Sequence, residues 1–251
     1  MRQRELTEDT LFEGGLLCHQ HRNGYRFSVD AVLLAHFVSP ERGAHILDLG
    51  AGCGIVSLLL AYRHPSVMLS AVEIQKSLFA LCRQNVLANG FEKRIAVLHG
   101  DMCRLASLFP AESFDWAVSN PPYRKLASGR RNPGREQNLA RHEVKASLQE
   151  VLAAASYAVK NRGRVALVYP ATRLAALLAA FRFHGLEPKR LQPVYSYPGG
   201  PAKLVLVESV KNGGEELKIL EPFYIYREQG DRGYSAAMLE LYRPSAPPIP
   251  E

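Results

Sequence analysis

The stretch LDLGAGCG, from Leu47 to Gly54, sets three glycines at alternate positions between an apolar run and a helical pattern. Glycines in such a turn accept positive φ and let a ligand come close to the backbone. A dinucleotide-binding loop has the pattern G-x-G-x-x-G and would need glycine where this chain has Ile55, which speaks against NAD. Asp48, just ahead of the glycines, suits a cationic ammonium and would repel a pyrophosphate. The loop therefore calls for a ligand that carries positive charge.

Outward from this loop, short apolar runs alternate with helical patterns, as βαβ units around a mostly parallel sheet do. AHILDLG, VMLSAVEI, RIAVLHGD, FDWAVSN and RVALVYP read as strands. The intervening helices are IVSLLLAYRH, QKSLFALCRQNVLANG with a stop at Asn89-Gly90, KASLQEVLAAASYAVKN and TRLAALLAAFRFHG. LQPVYSY and AKLVLVESV are joined only by PGGP, too short for a crossover helix, so they are antiparallel neighbours. The expectation is an α/β fold with seven strands, one of them antiparallel and near the edge.

Residues 1–40 stand outside this alternation, with glycine turns at Gly14-Gly15 and Asn23-Gly24 and then a helix, SVDAVLLAHFV, capped by Ser28. The expected organisation is one domain over 1–243, made of this lid-like extension, a core over 41–210 and an appendage over 211–243. The Pro-rich segment 244–251 reads as a disordered tail.

The 251 residues include no signal-like apolar segment and no stretch long enough to span a membrane, which implies a cytoplasmic protein. Four cysteines without a CxxC pair read as reduced thiols, and CHQH at 18–21 lacks the second ligand pair of a zinc site, so no metal is expected.

Two further strands end in acids, Glu73 in AVEI and Asp101 in HGDM. Parallel strands end along one rim, where ligands bind at the switch in strand order. Glu73 accepting from two ribose hydroxyls and Asp101 from an adenine amino group would hold a nucleoside; each acid alone would pass for a solvated turn residue. The fourth strand of the alternation ends in Asn120-Pro121-Pro122-Tyr123. An amino group conjugated to a purine or a carbonyl is a poor nucleophile, and acceptors on its protons bias its lone pair toward attack. Asn120 offers a side-chain carbonyl and Pro121 a backbone carbonyl, whose direction the following proline restricts. Tyr123 gives a face for stacking a planar group. As bare structure, the same residues would be a proline-ended strand with an aromatic plug.

These residues resemble the class I methyltransferases that use S-adenosylmethionine, over roughly positions 25–210. The resemblance implies a Rossmann-like seven-stranded sheet whose last strand is antiparallel, with helices on both faces. It implies a cofactor-binding set of Phe27, Asp48, Gly50, Ala51, Gly52, Glu73, Ile74, Asp101, Met102 and Asn120, with the glycine loop facing the methionine part and Phe27 and Asp30 helping to cover the cofactor. Cys53 is a small filler of the loop. NPPY resembles the signature of amino-group methyltransferases acting on adenine N6, guanine N2 or protein glutamine. It implies direct in-line displacement, with Asn120, Pro121 and Tyr123 as the catalytic residues.

Residues 124–145 carry seven cations against two carboxylates, a local +5 of the chain's +7. Such a run is commonly a solvated face; beside a base-accepting motif it reads as a phosphate-binding loop formed by Arg124, Lys125, Arg130, Arg131, Arg135 and Arg141. NPPYRK followed by NLARHE, with GYRFSVDAVLLAHF upstream and LKILEPFYIY downstream, resembles the methyltransferases that form N6-methyladenine at adenine 37 of valine tRNA. This implies tRNA as the partner. His142 either touches RNA or caps the following helix, and Arg124 replaces the aromatic frequent after NPPY in that family. The competing readings are a glutamine methyltransferase of release factor or ribosomal protein, a ribosomal RNA guanine N2 methyltransferase, and a non-catalytic RNA-binding module.

Overall fold

The computed structural model describes residues 6–22, 28–121, 146–230 and 233–244. Phe27, the Asn23-Gly24 turn, positions 122–145 with Tyr123 and the whole basic run, and the tail from 245 lie outside the described residues.

In chain order the strands are β1 (Leu6–Leu11), β2 (Leu16–His21), β3 (His45–Leu49), β4 (Met68–Glu73), β5 (Ile95–His99), β6 (Phe114–Ser119), β7 (Val159–Pro170), β8 (Leu186–Tyr195), β9 (Ala202–Lys211), β10 (Lys218–Ile219) and β11 (Phe223–Tyr224). The helices are α1 (Val29–Phe37), α2 (Ile55–Arg63), α3 (Lys76–Ala88), α4 (Leu148–Ala158), α5 (Leu174–Phe183) and α6 (Ala236–Glu240). The main sheet runs β10-β8-β9-β7-β6-β3-β4-β5, with β11 also on β8. Strands β3 to β7 are mutually parallel, and β9 is inserted antiparallel between β7 and β8. This is the expected seven-stranded arrangement, with β10 and β11 as additions from the LKILEPFYIY segment.

Alternation along the strands feeds two cores. Ile46, Trp116, Ala166, Val168 and Leu206 pack under α1, α2 and α3. Leu47, Leu49, Ala117, Val165, Leu167 and Val207 pack under α4 and α5. A sheet with both faces covered has near-continuous apolar runs in its strands, as Val165–Val168 of β7 and Leu204–Val207 of β9 do.

Three local outcomes differ from the sequence reading. Ser28 holds the N-cap position of α1 in extended conformation, yet its hydroxyl makes no capping hydrogen bond. Helix α4 opens instead on a capping box between Ser147 and Glu150 and stops at Ala158 rather than running on to Asn161. There Val159 joins β7 opposite Phe114, and the register shift before Trp116 and Arg164 accommodates the extra residues around Gly163.

The N-terminal hairpin is tied to the core in two ways. Phe12, in its turn, stacks on Tyr62 of α2 with centroids 4.4 Å apart. The edge of β2 away from β1 is met by Asn85 of α3 and by Asn89, the residue that caps that helix. Asn89 pairs with the Leu17 backbone at 2.8 and 2.7 Å, and Asn85 with the His19 backbone at 2.8 and 3.0 Å. A four-residue step on a helix rises about 6 Å and a two-residue step on a strand about 6.6 Å, so the two repeats match.

Beneath α1, Trp116 donates its indole N–H to Glu41 at 3.1 Å. Glu208 of β9 is fully buried and accepts from Arg164 of β7 and, at 2.6 Å, from Arg190 of β8.

Candidate active site

Chain order moves outward from β3 through β4 to β5 and then returns to β6 on the other side of β3. The strand order therefore reverses between β3 and β6, and in open α/β sheets ligands bind at such a reversal, outside the carboxyl ends of the strands. The glycine loop leaves β3 and Asn120 leaves β6 at this point. Asp48 is registered with Val118, and the Ser119 hydroxyl donates to the Leu49 carbonyl at 2.8 Å. Gly50 and Asn120 are the residues that directly follow this last contact on each strand.

Every residue of the glycine loop has a holder. The amides of Gly50 and Ala51 donate to the Val72 carbonyl at 2.9 and 3.1 Å, and the Gly54 amide closes the turn on Ala51 at 2.8 Å. The Gly52 amide donates to Glu73 Oε2 at 2.9 Å, and the Cys53 carbonyl accepts from Asn85 Nδ2 at 2.9 Å. Gly54 caps α2 with φ of 88°, and a Cβ there would come within 2.5 Å of the Cys82 sulfur, so only glycine fits. At Gly52, φ is 61° and a Cβ would meet no atom of the described residues within 4 Å. Cys53 is buried, its sulfur 3.9 Å from that of Cys18, in keeping with a packing role.

The three acids occupy different depths. Asp48 is 1% exposed and accepts from the Ser57 hydroxyl at 2.7 Å, so it braces the first turn of α2 beneath the loop rather than lining the rim. Burial pushes its carboxyl up to about 6, against the hydrogen bonds from Ser57 and with the negative charge of Glu73 adding to the rise. Glu73 is buried at the end of β4, its second oxygen accepting from the Gln75 amide at 2.8 Å. Asp101 is half-buried and accepts from the Cys103 amide at 2.9 Å, heading the turn that carries Met102. Met102 reaches toward Gly50, and Ile74 is 37% exposed on the rim next to Glu73. Among the described residues no lysine or arginine pairs with any of the three acids, which leaves the rim negative. Open backbone at Gly52, an uncompensated negative rim and two apolar side chains flanking it fit a nucleoside with a cationic sulfonium and ammonium tail.

Asn120 is half-buried and Pro121 buried at the end of β6. Asp30 lies in the first turn of α1, as expected. The carboxyl-end rim thus gathers Gly50, Ala51, Gly52, Glu73, Ile74, Asp101, Met102, Asn120 and Pro121, with Asp48 beneath the loop. Sequence reading missed Ser57, Ser119 and Asn85. Only Asn85 left a signal: with Leu78, Leu81, Cys82 and Asn89 it falls on the stripe of α3 that should be apolar.

Among the described residues no group of three or more His, Cys, Asp or Glu is arranged to hold a metal ion, and no helix is long and apolar enough to cross a membrane.

The methyltransferase small domain family matches the chain over residues 28–175. A tRNA1(Val) (adenine(37)-N6)-methyltransferase of Porphyromonas gingivalis is 33% identical over 189 residues, 73% of this chain and 73% of its own. One of Aeromonas hydrophila is 28% identical over 224 residues, covering 89% of this chain and 91% of its own. Among solved structures, a predicted O-methyltransferase from Agrobacterium tumefaciens superposes with a TM-score of 0.70 at 22% identity, over 88% of this chain and all of its own. TrmN from Thermus thermophilus superposes at 0.53 and 24% identity, over 72% of this chain and 48% of its own. The structural likenesses speak for the fold, and the sequence matches for the lineage: the chain belongs to the methyltransferase small domain family, among the tRNA1(Val) (adenine(37)-N6)-methyltransferases.

Proposed function

We propose that this protein methylates the N6 amine of an adenine in tRNA, adenine 37 of valine tRNA, with S-adenosylmethionine as donor, in the cytoplasm. The observation that carries the reading is the meeting of the glycine loop and Asn120-Pro121 across the β3–β6 switch. When bound, S-adenosylmethionine supplies an electrophilic methyl group on a sulfonium centre. Gly50, Ala51 and Gly52 would hold its amino-acid tail, Glu73 its ribose, and Asp101 with Ile74 and Met102 its adenine. Asp48 acts from below, holding loop and helix together and adding negative charge that a sulfonium or ammonium favours.

On the acceptor side, the Asn120 side-chain carbonyl and the Pro121 backbone carbonyl would accept from the two amino protons of the target base and bias its nitrogen lone pair toward attack. Tyr123 stacks against the base. Arg124, Lys125, Arg130, Arg131, Arg135 and Arg141 contact tRNA phosphates, and the +5 charge of 124–145 supports that role.

The test supplies methyl-labelled S-adenosylmethionine with unmodified tRNA, ribosomal RNA and release factor, and digests the products. N6-methyladenosine at position 37 of valine tRNA is the expected product. Methylglutamine or N2-methylguanosine would replace this reading with one of its competitors, and no transfer with no cofactor binding would leave only an RNA-binding module.

A further inference from the structure

We infer that Asn85 is a positioning residue for the cofactor: it couples the N-terminal hairpin to the glycine loop, so that loop shape and hairpin docking form one equilibrium. The inference rests on the glycine loop being the S-adenosylmethionine site.

Asn85 is fully buried in α3, and its amide is fully used. Its oxygen accepts from the His19 amide at 2.8 Å and lies 3.1 Å from His19 Nδ1. Its nitrogen has two protons, and the two carbonyls in reach are those of His19 at 3.0 Å and Cys53 at 2.9 Å. The first belongs to β2 and the second to the glycine loop. The Cys53 carbonyl lies one residue ahead of the cap of α2, and the first main-chain bond of the helix, from the Leu58 amide at 2.9 Å, goes to Gly54. Without Asn85 that carbonyl is unpaired in a dry interior, and the simplest relief is rotation of the Cys53–Gly54 peptide. Such a rotation swings the Gly54 amide off the Ala51 carbonyl, 2.8 Å away, and opens the turn that keeps the Gly52 amide on Glu73.

Asn89 supplies a built-in control. It makes the same two-bond pairing with β2, at Leu17, one helical turn away, and its remaining bond goes to the Asn85 carbonyl. It has no bond to the glycine loop. Loss of Asn89 weakens the seat of the hairpin; loss of Asn85 does that and also releases the loop.

Calorimetric titration of the full-length protein with S-adenosylmethionine separates the two. Asn85→Ala is expected to weaken binding about tenfold or more, the equivalent of one buried hydrogen bond, with kcat at saturating cofactor within a few-fold of wild type. Asn89→Ala is expected to keep binding within about twofold despite a lower Tm. Equal affinity in Asn85→Ala and wild type, or equal weakening by both variants, overturns the inference. Should Asn85→Ala fail to fold, hydrogen exchange on the wild type decides. Coupling is reciprocal, so cofactor must slow exchange at the His19 amide, and unchanged exchange overturns the proposal. No binding to the wild type at all would instead refute the cofactor assignment from which the inference starts.

Discussion

The carboxylate of Glu73 accepts a 2.9 Å hydrogen bond from the amide of Gly52, so the end of β4 fixes the middle of the loop that follows β3. Its other oxygen holds the Gln75 amide. A carboxylate with four lone-pair positions still has capacity for ribose hydroxyls after these two bonds. Glu73→Ala removes the brace and the ribose acceptor together. Each hydrogen bond to a charged group is worth about 1.5–3 kcal/mol, so cofactor affinity should fall on the order of 10²-fold, read by calorimetry. Glu73→Gln, which retains one acceptor oxygen, should lie between this variant and wild type; affinity unchanged in both would remove Glu73 from the site.

Asn120 stands at the end of β6, stitched to β3 through Ser119. Asn120→Ala should leave cofactor affinity near wild type and lower kcat on the order of 10²-fold or more, as loss of a preorganised polar group does. Near-normal turnover in a single-turnover assay would contradict the role.

Asp48 gives the protein a pH signature. Its folded carboxyl sits at about 6 because of burial, above an unfolded value of about 3.9. The folded state therefore binds the proton more tightly. The stabilisation from that proton is complete below the unfolded value and is lost as pH rises through about 6. At neutral pH the buried charge costs roughly 2–3 kcal/mol. Asp48→Asn should raise Tm at pH 7, flatten the decline in stability between about pH 4 and 6, and weaken cofactor binding. Denaturant unfolding at several pH values measures the first two; an unchanged pH slope would mean another group titrates.

Glu208 bridges Arg164 and Arg190 from a fully buried position in β9, four residues from Leu204, which pairs with Pro170 at the carboxyl end of β7. Replacing it with Gln strands two cations, but both arginine side chains are about a third exposed and can turn to water. The expected loss is about 2–3 kcal/mol, below that for a pair sealed on both sides, with cofactor affinity unchanged. Chemical denaturation tests the first expectation and calorimetry the second.

The sheet was legible because its strands are short apolar runs separated by helices with a clear period, and because PGGP left no room for a crossover. The start of β7 was not, since VKN reads as the end of a helix and only the pairing of Val159 with Phe114 makes it strand. The rim acids were visible as strand ends, but their depth was not. Whether Asp48 lines a crevice or braces a helix depends on Ser57, nine residues on, which nothing in the local pattern singles out. Asn85 and Asn89 show a third case: on a helical wheel they are polar residues misplaced on an apolar stripe, and their reason is the backbone of a strand some 66 to 72 residues earlier.

Trp116 is the single tryptophan of the chain, 1% exposed, with its indole on Glu41 and the Arg164 guanidinium 5.6 Å from its ring. Indole emission from this protein consequently arises from one dry location shared by β6, β7 and the segment ahead of β3. Four strand residues, about 13 Å, separate it from Asn120, which keeps it clear of substrate and donor. A red shift therefore reports that these three elements have parted, and the protein carries an unlabelled optical gauge of its own unfolding.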